Sequence, residues 1–389
     1  MTTHHSTPSD TRDVRTSPIN AIFIGAGAVG CFYASRLHHP DRNVRVSLVA
    51  RSNYQAIAEC GVQLHTHSFG DYTFKPHAVF PDVKAAAQVT DDNPGHASSS
   101  SPPSSSTPTQ HAPATTRWDY IFVTTKALPD HADDSATIAP LVGPTSCIVL
   151  IQNGVGVEDP YRKRFPANPI VSAVTVVSAE QTSPGVVRQN RWTRISLGPY
   201  TDGLGSDNGG GNADLARNGT RHIEQLRTWW GPGWGGIRDV DAHDEVGLQT
   251  VRWHKLCINS AFNPSAVLSG GRGNADMLTD PELRAHLLAV MREIWDAVPR
   301  ILGRPFPDTM ASPERIVRST ERNAGARPSM LLDWDAARPL ELEVILGNPV
   351  RIARARGVDL PRLQTLYALL RSAQKMRAAQ VGQEGKSKL

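Results

Sequence analysis

Residues 253–264, WHKLCINSAFNP, set Lys255, Asn259 and Asn263 four residues apart within an otherwise apolar run. At helical spacing, side chains at i and i+4 lie one above the other, so these three form a single polar stripe. An ammonium in line with two amides is poor core material, because burying a charge is costly unless it is paired. Its neighbours Trp253, Leu256, Ile258 and Phe262 are nevertheless of the types found inside proteins. Such a lysine either snorkels to water along its methylene stem or faces something polar. In the second case it can donate a proton or hold negative charge developing on an oxygen, and the two amides can orient the same molecule.

A second chemical stretch lies near the start of the chain. Ile22-Phe23-Ile24 reads as a short buried strand, Gly25-Ala26-Gly27-Ala28-Val29-Gly30 follows at once, and residues 31–37 have a helical pattern. A GxGxxG run between strand and helix is the fingerprint of a dinucleotide site. The first glycine permits the tight turn, the second lets the backbone approach a pyrophosphate, and the third lets helix and strand pack closely. The phosphates then sit on the helix N-terminus.

At the end of the next strand, 44–49, an acid would bind the ribose 2′-hydroxyl of NAD. Here the sequence reads Ala50-Arg51-Ser52-Asn53. The forked donors of Arg51 suit a 2′-phosphate, which predicts NADPH. Two later strands, 118–123 and 147–151, end in Thr124-Thr125-Lys126-Ala127 and Gln152-Asn153-Gly154. Ligands of open parallel sheets bind beyond the carboxyl ends of the strands, which puts Lys126 and Asn153 on the cofactor edge.

The elements that must position these residues fall into two kinds. Further strands over 170–180, 185–188 and 193–197, a helix over 222–230 and a last strand over 236–240 complete an α/β unit. From about residue 241 only helical patterns appear: 245–260, 281–302, 339–356 and 361–380. Leu283, Leu287, Leu288, Met291, Ile294 and Val298 carry the helical period of the second. The expected fold class is an α/β Rossmann-type dinucleotide-binding domain over 19–241 followed by an all-α substrate domain over 242–389. A small substrate would meet the cofactor in the cleft between them. Two stretches read as surface insertions, a Ser/Pro-rich one at about 89–116 and a Gly-rich one at about 201–219, and residues 1–18 read as a disordered leader.

Composition excludes several other functions. Over 389 residues with 39% hydrophobic and 20% charged side chains, a net charge of +4 with no basic run interleaved with aromatics gives no reason to expect nucleic acid. No apolar segment approaches the roughly 18 residues of a membrane span. Cys31, Cys60, Cys147 and Cys257 lie far apart without a CxxC pair, against a zinc site or disulfide framework and in keeping with a reducing compartment. The 14 histidines include no HxxxH, so no metal is expected. The leader has no signal-peptide core and carries acids, which predicts a cytoplasmic protein. A homodimer is left open.

GAGAVG, VTTKA, LIQNG and above all WHKLCINSAFNPSAVL resemble the ketopantoate reductase family, the NADPH-dependent 2-dehydropantoate 2-reductases. Near the C-terminus, SMLLDWDAARPLELEVILGNPVRIARARGVDLP is similar to that family's SSMxxDxxxxxxTEIDxxNGxxxxxAxxxGxxxP pattern. The resemblance implies that Lys255 is the catalytic lysine, that Asn259, Asn263 and Ser329 bind substrate, and that Glu341 is the active-site carboxylate at the cofactor. It places Asn153 beside the nicotinamide and the substrate, and Lys126 on the cofactor. The chain departs from the pattern at Leu340-Glu341-Leu342-Glu343, for Thr-Glu-Ile-Asp, and at Leu346-Gly347, for Asn-Gly. Glu343 thereby competes with Glu341 for the acid's role.

The implied reaction is reduction of ketopantoate to pantoate, a step of pantothenate and coenzyme A synthesis. Hydride goes to the C2 carbonyl, and Lys255 acts as general acid. Glu341 beside the ammonium would be charged, each keeping the other ionised. Two alternatives stand beside it: the same chemistry on another branched 2-oxo acid, or a non-catalytic NADP-binding sensor or scaffold.

Overall fold

The computed structural model describes residues 17–89, 118–205 and 211–386. The Ser/Pro-rich stretch and nearly all of the expected leader lie outside these residues. Ten strands form one sheet: β1 (Ile19–Ile24), β2 (Val44–Val49), β3 (Val62–Thr66), β4 (Gly70–Phe74), β5 (Val79–Phe80), β6 (Tyr120–Val123), β7 (Cys147–Leu150), β8 (Ile170–Ser183), β9 (Val186–Pro199) and β10 (Val240–Ala242). Their order is β4-β3-β9-β8-β7-β6-β1-β2-β5, with β10 beside β9.

From β5 to β8 every neighbouring pair is parallel. Both faces of such a sheet are covered, so its central strands β6 (YIFV) and β7 (CIVL) are buried throughout rather than alternating with polar residues. Ala21, Phe23, Tyr120 and Phe122 face one core, while Ile22, Ile24, Ile121 and Val123 face the other. The rings of Phe23 and Phe122 stack at 4.2 Å across β1 and β6. Between these two strands the chain order reverses, and the crevice at such a switch point is where an open α/β sheet binds its ligand.

The helices are α1 (Ala28–Leu37), α2 (Tyr54–Cys60), α3 (Val83–Ala87), α4 (Asp134–Ile138), α5 (Asp159–Arg164), α6 (Gly211–Trp230), α7 (Glu245–Leu268), α8 (Asn274–Leu278), α9 (Pro281–Leu302), α10 (Pro313–Glu321), α11 (Ser329–Asp335), α12 (Asn348–Ala355) and α13 (Pro361–Lys386). The N-terminal part is thus a Rossmann-like α/β sheet and the C-terminal part is helical. The helices from α7 onward share a separate apolar core built on Trp253, Leu256, Phe262, Leu287, Met291, Ile294 and Leu363. Among the described residues no helix is long and apolar enough to cross a membrane.

Several expectations need correction. The Gly-rich stretch at about 201–219 is not a loop throughout, because α6 begins at Gly211. Its later residues Ile223, Leu226, Trp229 and Trp230 bury against the sheet, and that packing overrides the weak helix propensity of the Gly- and Asn-containing first turns. The two strands expected at 185–188 and 193–197 are one strand, β9, paired with β8 through three register shifts. The strand expected at 236–240 is the short β10. The helix expected to end at 260 runs on to Leu268 through Pro264, which has no N–H for the Ser260 carbonyl.

Candidate active site

Local structure first shows whether the glycine loop suits a dinucleotide. Gly25 has φ +112°, and a Cβ there would lie 2.9 Å from the Thr125 nitrogen. A Cβ on Gly30 would collide with the Gly25 carbonyl and lie 2.6 Å from Thr124 Oγ1. Around Gly27 no atom would come within 4 Å, and Gly27 caps α1 without any side-chain bond. Two glycines therefore shape the turn while the middle one opens onto free space at a helix N-terminus, which is the arrangement a diphosphate needs.

Thr124 and Asn53 brace this loop, and neither was singled out in the sequence. Thr124 Oγ1 donates to the Gly25 carbonyl at 2.7 Å, and Asn53 Nδ2 donates to the Ala26 carbonyl at 2.7 Å. Ala28 and Val29 form the first turn of α1. Arg51 is exposed just beyond β2, on the same edge. The residues present fit a nicotinamide dinucleotide.

Asn153 follows β7 and stands between the two proposed catalytic groups. Its Oδ1 accepts from Lys255 Nζ at 2.8 Å, and its Nδ2 faces Glu341 Oε2 at 3.5 Å. The other carboxylate oxygen of Glu341 accepts from the Ala127 N–H at 3.0 Å. The helix expected over 339–356 begins only after Glu341 and opens as a π-helical turn, Glu343–Gly347. π turns occur frequently at functional sites. This one lies against the Asn153 loop: Val155 N–H donates to the Val344 carbonyl at 3.0 Å, and Asn348 Nδ2 donates to the Val155 carbonyl at 2.9 Å. Gly154, at φ +90°, is required there, since a Cβ would lie 2.5 Å from that of Val344.

The two candidate acids separate cleanly. Glu341 is 8% exposed and turned to Asn153, whereas Glu343 is engaged by Arg351 and Tyr367. Electrostatics also correct the expected ion pair. Glu341 reaches Lys255 through the Asn153 amide, and burial shifts both groups toward neutrality. The Lys255 ammonium is pushed down to about 8, by burial and then by the Arg252 charge, against the pull of Glu341. Burial raises the Glu341 carboxyl, against the Ala127 N–H, Lys126 and Asn153.

Helix α7 holds the stripe as its spacing required. Asn153, Lys255 and Asn259 line one cavity with Val174 and Leu256. Asn263 is 5% exposed, and its Nδ2 has no hydrogen-bond partner among the described residues. A buried donor left in this state is costly unless a ligand satisfies it. Ser329 is exposed at the first turn of α11. Lys126 is paired with Asp333, a buried acid on α11 that also accepts from Arg338 Nε at 2.9 Å. Asn274 has a buried Oδ1 without a hydrogen-bond partner among the described residues, and its N–H donates to the Ala326 carbonyl in the loop leading to Ser329. Partners so far apart along the chain leave no local spacing signal.

A glycine loop at the switch point, with the Lys255 ammonium of α7 and the buried Glu341 carboxyl both meeting Asn153 at the end of β7, defines the class: an oxidoreductase dependent on a nicotinamide dinucleotide. The chain belongs to the ketopantoate reductase family, whose profiles, described as ketopantoate reductase PanE/ApbA and its C-terminal part, match residues 21–202 and 247–374. The 2-dehydropantoate 2-reductase of Nostoc sp. is 24% identical over 90% of this chain and 93% of its own length. An uncharacterised protein of Saccharomyces cerevisiae is 28% identical over 90% of this chain and 92% of its own. Among solved structures, the 2-dehydropantoate 2-reductase of Methylococcus capsulatus superposes with a TM-score of 0.71 at 30% identity, covering 92% of this chain and 97% of that one. D-mandelate dehydrogenase, solved with NADH and anilino(oxo)acetate, shares the fold at a TM-score of 0.64 and 17% identity, over 92% of this chain and 99% of its own.

Proposed function

We propose that the protein reduces ketopantoate to pantoate with NADPH, serving pantothenate and coenzyme A synthesis in the cytoplasm. The observation that carries the proposal is the Lys255–Asn153–Glu341 chain at the edge of a dinucleotide cleft. The glycine loop, Arg51 through a 2′-phosphate, and Lys126 would hold NADPH, which when bound would supply the hydride. Lys255 gives its proton to the carbonyl oxygen of the substrate and holds the negative charge growing there. An amine with its pKa near 8 is well placed for this, being protonated at neutral pH yet able to release the proton. Asn153 fixes the direction of the Lys255 ammonium and leaves Glu341 aimed at the same centre. Asn259, Asn263 and Ser329 bind the substrate's carboxylate and hydroxyl, with the unpaired Nδ2 of Asn263 as a ready donor.

A second proposal keeps this chemistry and changes the 2-oxo acid. It is favoured by the apolar Leu346, fully buried in the π turn where the family pattern has Asn, and by Glu343, which is engaged by Arg351 and Tyr367. Loss of NADPH absorbance with a panel of 2-oxo acids, with NADH in parallel, tests both. Rapid NADPH oxidation with ketopantoate alone supports the first, and turnover confined to another 2-oxo acid supports the second. Silence with every acid despite NADPH binding contradicts both and leaves a non-catalytic NADP-binding protein.

A further inference from the structure

Three residues before Lys255 on α7, Arg252 is 3% exposed and spans three segments of chain. Its Nη1 donates to the carbonyls of Gln152 and Gly154, each at 2.9 Å, and these are the residues on either side of Asn153. Its Nη2 donates to Ser172 Oγ at 2.6 Å and to the Ala173 carbonyl at 3.1 Å on β8. Its Nε lies 3.0 Å from Oε1 of Glu158, which is fully buried. That same oxygen accepts from Ser172 Oγ at 2.6 Å and from Gln249 Nε2 at 3.1 Å.

We propose that Arg252, oriented by Glu158, is a positioning residue for the active site: it clamps the carbonyls flanking Asn153 and so aims that amide at Lys255 and Glu341. One helix then carries both the proton donor and the clamp on its hydrogen-bond acceptor, closing a ring from Arg252 through Asn153 to Lys255. The ring explains why an ion pair is retained in the interior at all, since an apolar replacement of similar volume is often neutral or stabilising. It also explains the residue type. The planar fork of arginine serves several fixed acceptors at once, whereas lysine carries a single point charge. The same guanidinium lies close enough to Lys255 to help hold its pKa down.

This inference rests on the function proposed above, so its test carries one readout that needs no turnover. Arg252→Lys keeps the charge and loses the fork. With the 2-oxo acid that the parent reduces, kcat is expected to fall about 10–100-fold, the loss produced by misplacing a group by roughly an ångström. Substrate KM and NADPH affinity should stay within about threefold of the parent, a split that general unfolding does not give. Hydrogen exchange of the amides in residues 152–156 should quicken while that of α9 is unchanged. If Arg252→Lys fails to fold, Arg252→Gln with Glu158→Gln, which leaves no unpaired buried charge, carries the same measurements. A folded variant with kcat within twofold of the parent and unchanged exchange at 152–156 overturns the inference. Should the parent reduce no 2-oxo acid, the functional proposal fails by itself, and exchange at 152–156 alone decides for or against the clamp.

Discussion

Lys255 Nζ donates to Oδ1 of Asn153 at 2.8 Å, which joins the first residue of the α7 stripe to the loop after β7. This bond restrains an otherwise flexible side chain in one direction. Replacing Asn153 by Ala should leave Lys255 in the cleft but free to turn, and should remove the donor facing Glu341. A fall in kcat of about 10–100-fold is expected in steady-state assays. A variant within twofold of the parent would show that the amide plays no part in the chemistry.

The pH profile follows from the lowered pKa of Lys255. The group is protonated below about 8 and neutral above it. As the proton donor in reduction, it makes kcat/KM level below that pH and falling about tenfold per unit above it. In the reverse direction the neutral amine is the useful form, so oxidation should rise with pH and level off above about 8. Parallel profiles in the two directions would rule out this assignment of the acid.

Arg51 stands exposed at the end of β2, where no acid is present. Arg51→Ala is expected to raise the KM for NADPH about tenfold or more and to change that for NADH by less than threefold. Equal changes for both cofactors would remove Arg51 from the 2′-phosphate.

The glycine loop separates packing from ligand contact. Gly30→Ala drives a methyl into the Gly25 carbonyl and Thr124, so it should lower the melting temperature by the equivalent of about 1–3 kcal/mol, and weaken cofactor binding as well. Gly27→Ala meets no protein atom within 4 Å. Its melting temperature should match the parent's while NADPH affinity falls, because the added methyl occupies the path of the diphosphate. Unchanged affinity in a folded Gly27→Ala protein would place the phosphates elsewhere.

What the sequence disclosed and what it hid have a common physical basis. Strands β1 and β2, helix α1 and helix α9 were legible because each is anchored by a local pattern: a buried apolar run, a glycine turn, or a leucine period. The Lys255, Asn259 and Asn263 stripe was legible for the same reason, since a helix converts spacing of four into a shared face. Helix α6 was not, because its first turns carry Gly and Asn and are held by the packing of Trp229 and Trp230 much further along. Strand β9 read as two separate strands because its middle, Asn190 to Trp192, is exposed and largely polar and is held by pairing with β8 rather than by a local pattern. Arg252 with Glu158, and Lys126 with Asp333, were invisible because each pair is assembled from elements distant in the chain.

The most direct test of the proposed chemistry follows NADPH oxidation by the parent and by Lys255→Ala side by side, with NADPH affinity measured separately on both. The parent is expected to oxidise NADPH with ketopantoate or another 2-oxo acid. The variant should bind NADPH within about threefold of the parent and lose about 10²–10⁴-fold in kcat. Turnover by Lys255→Ala at the parent's rate would contradict Lys255 as the proton donor.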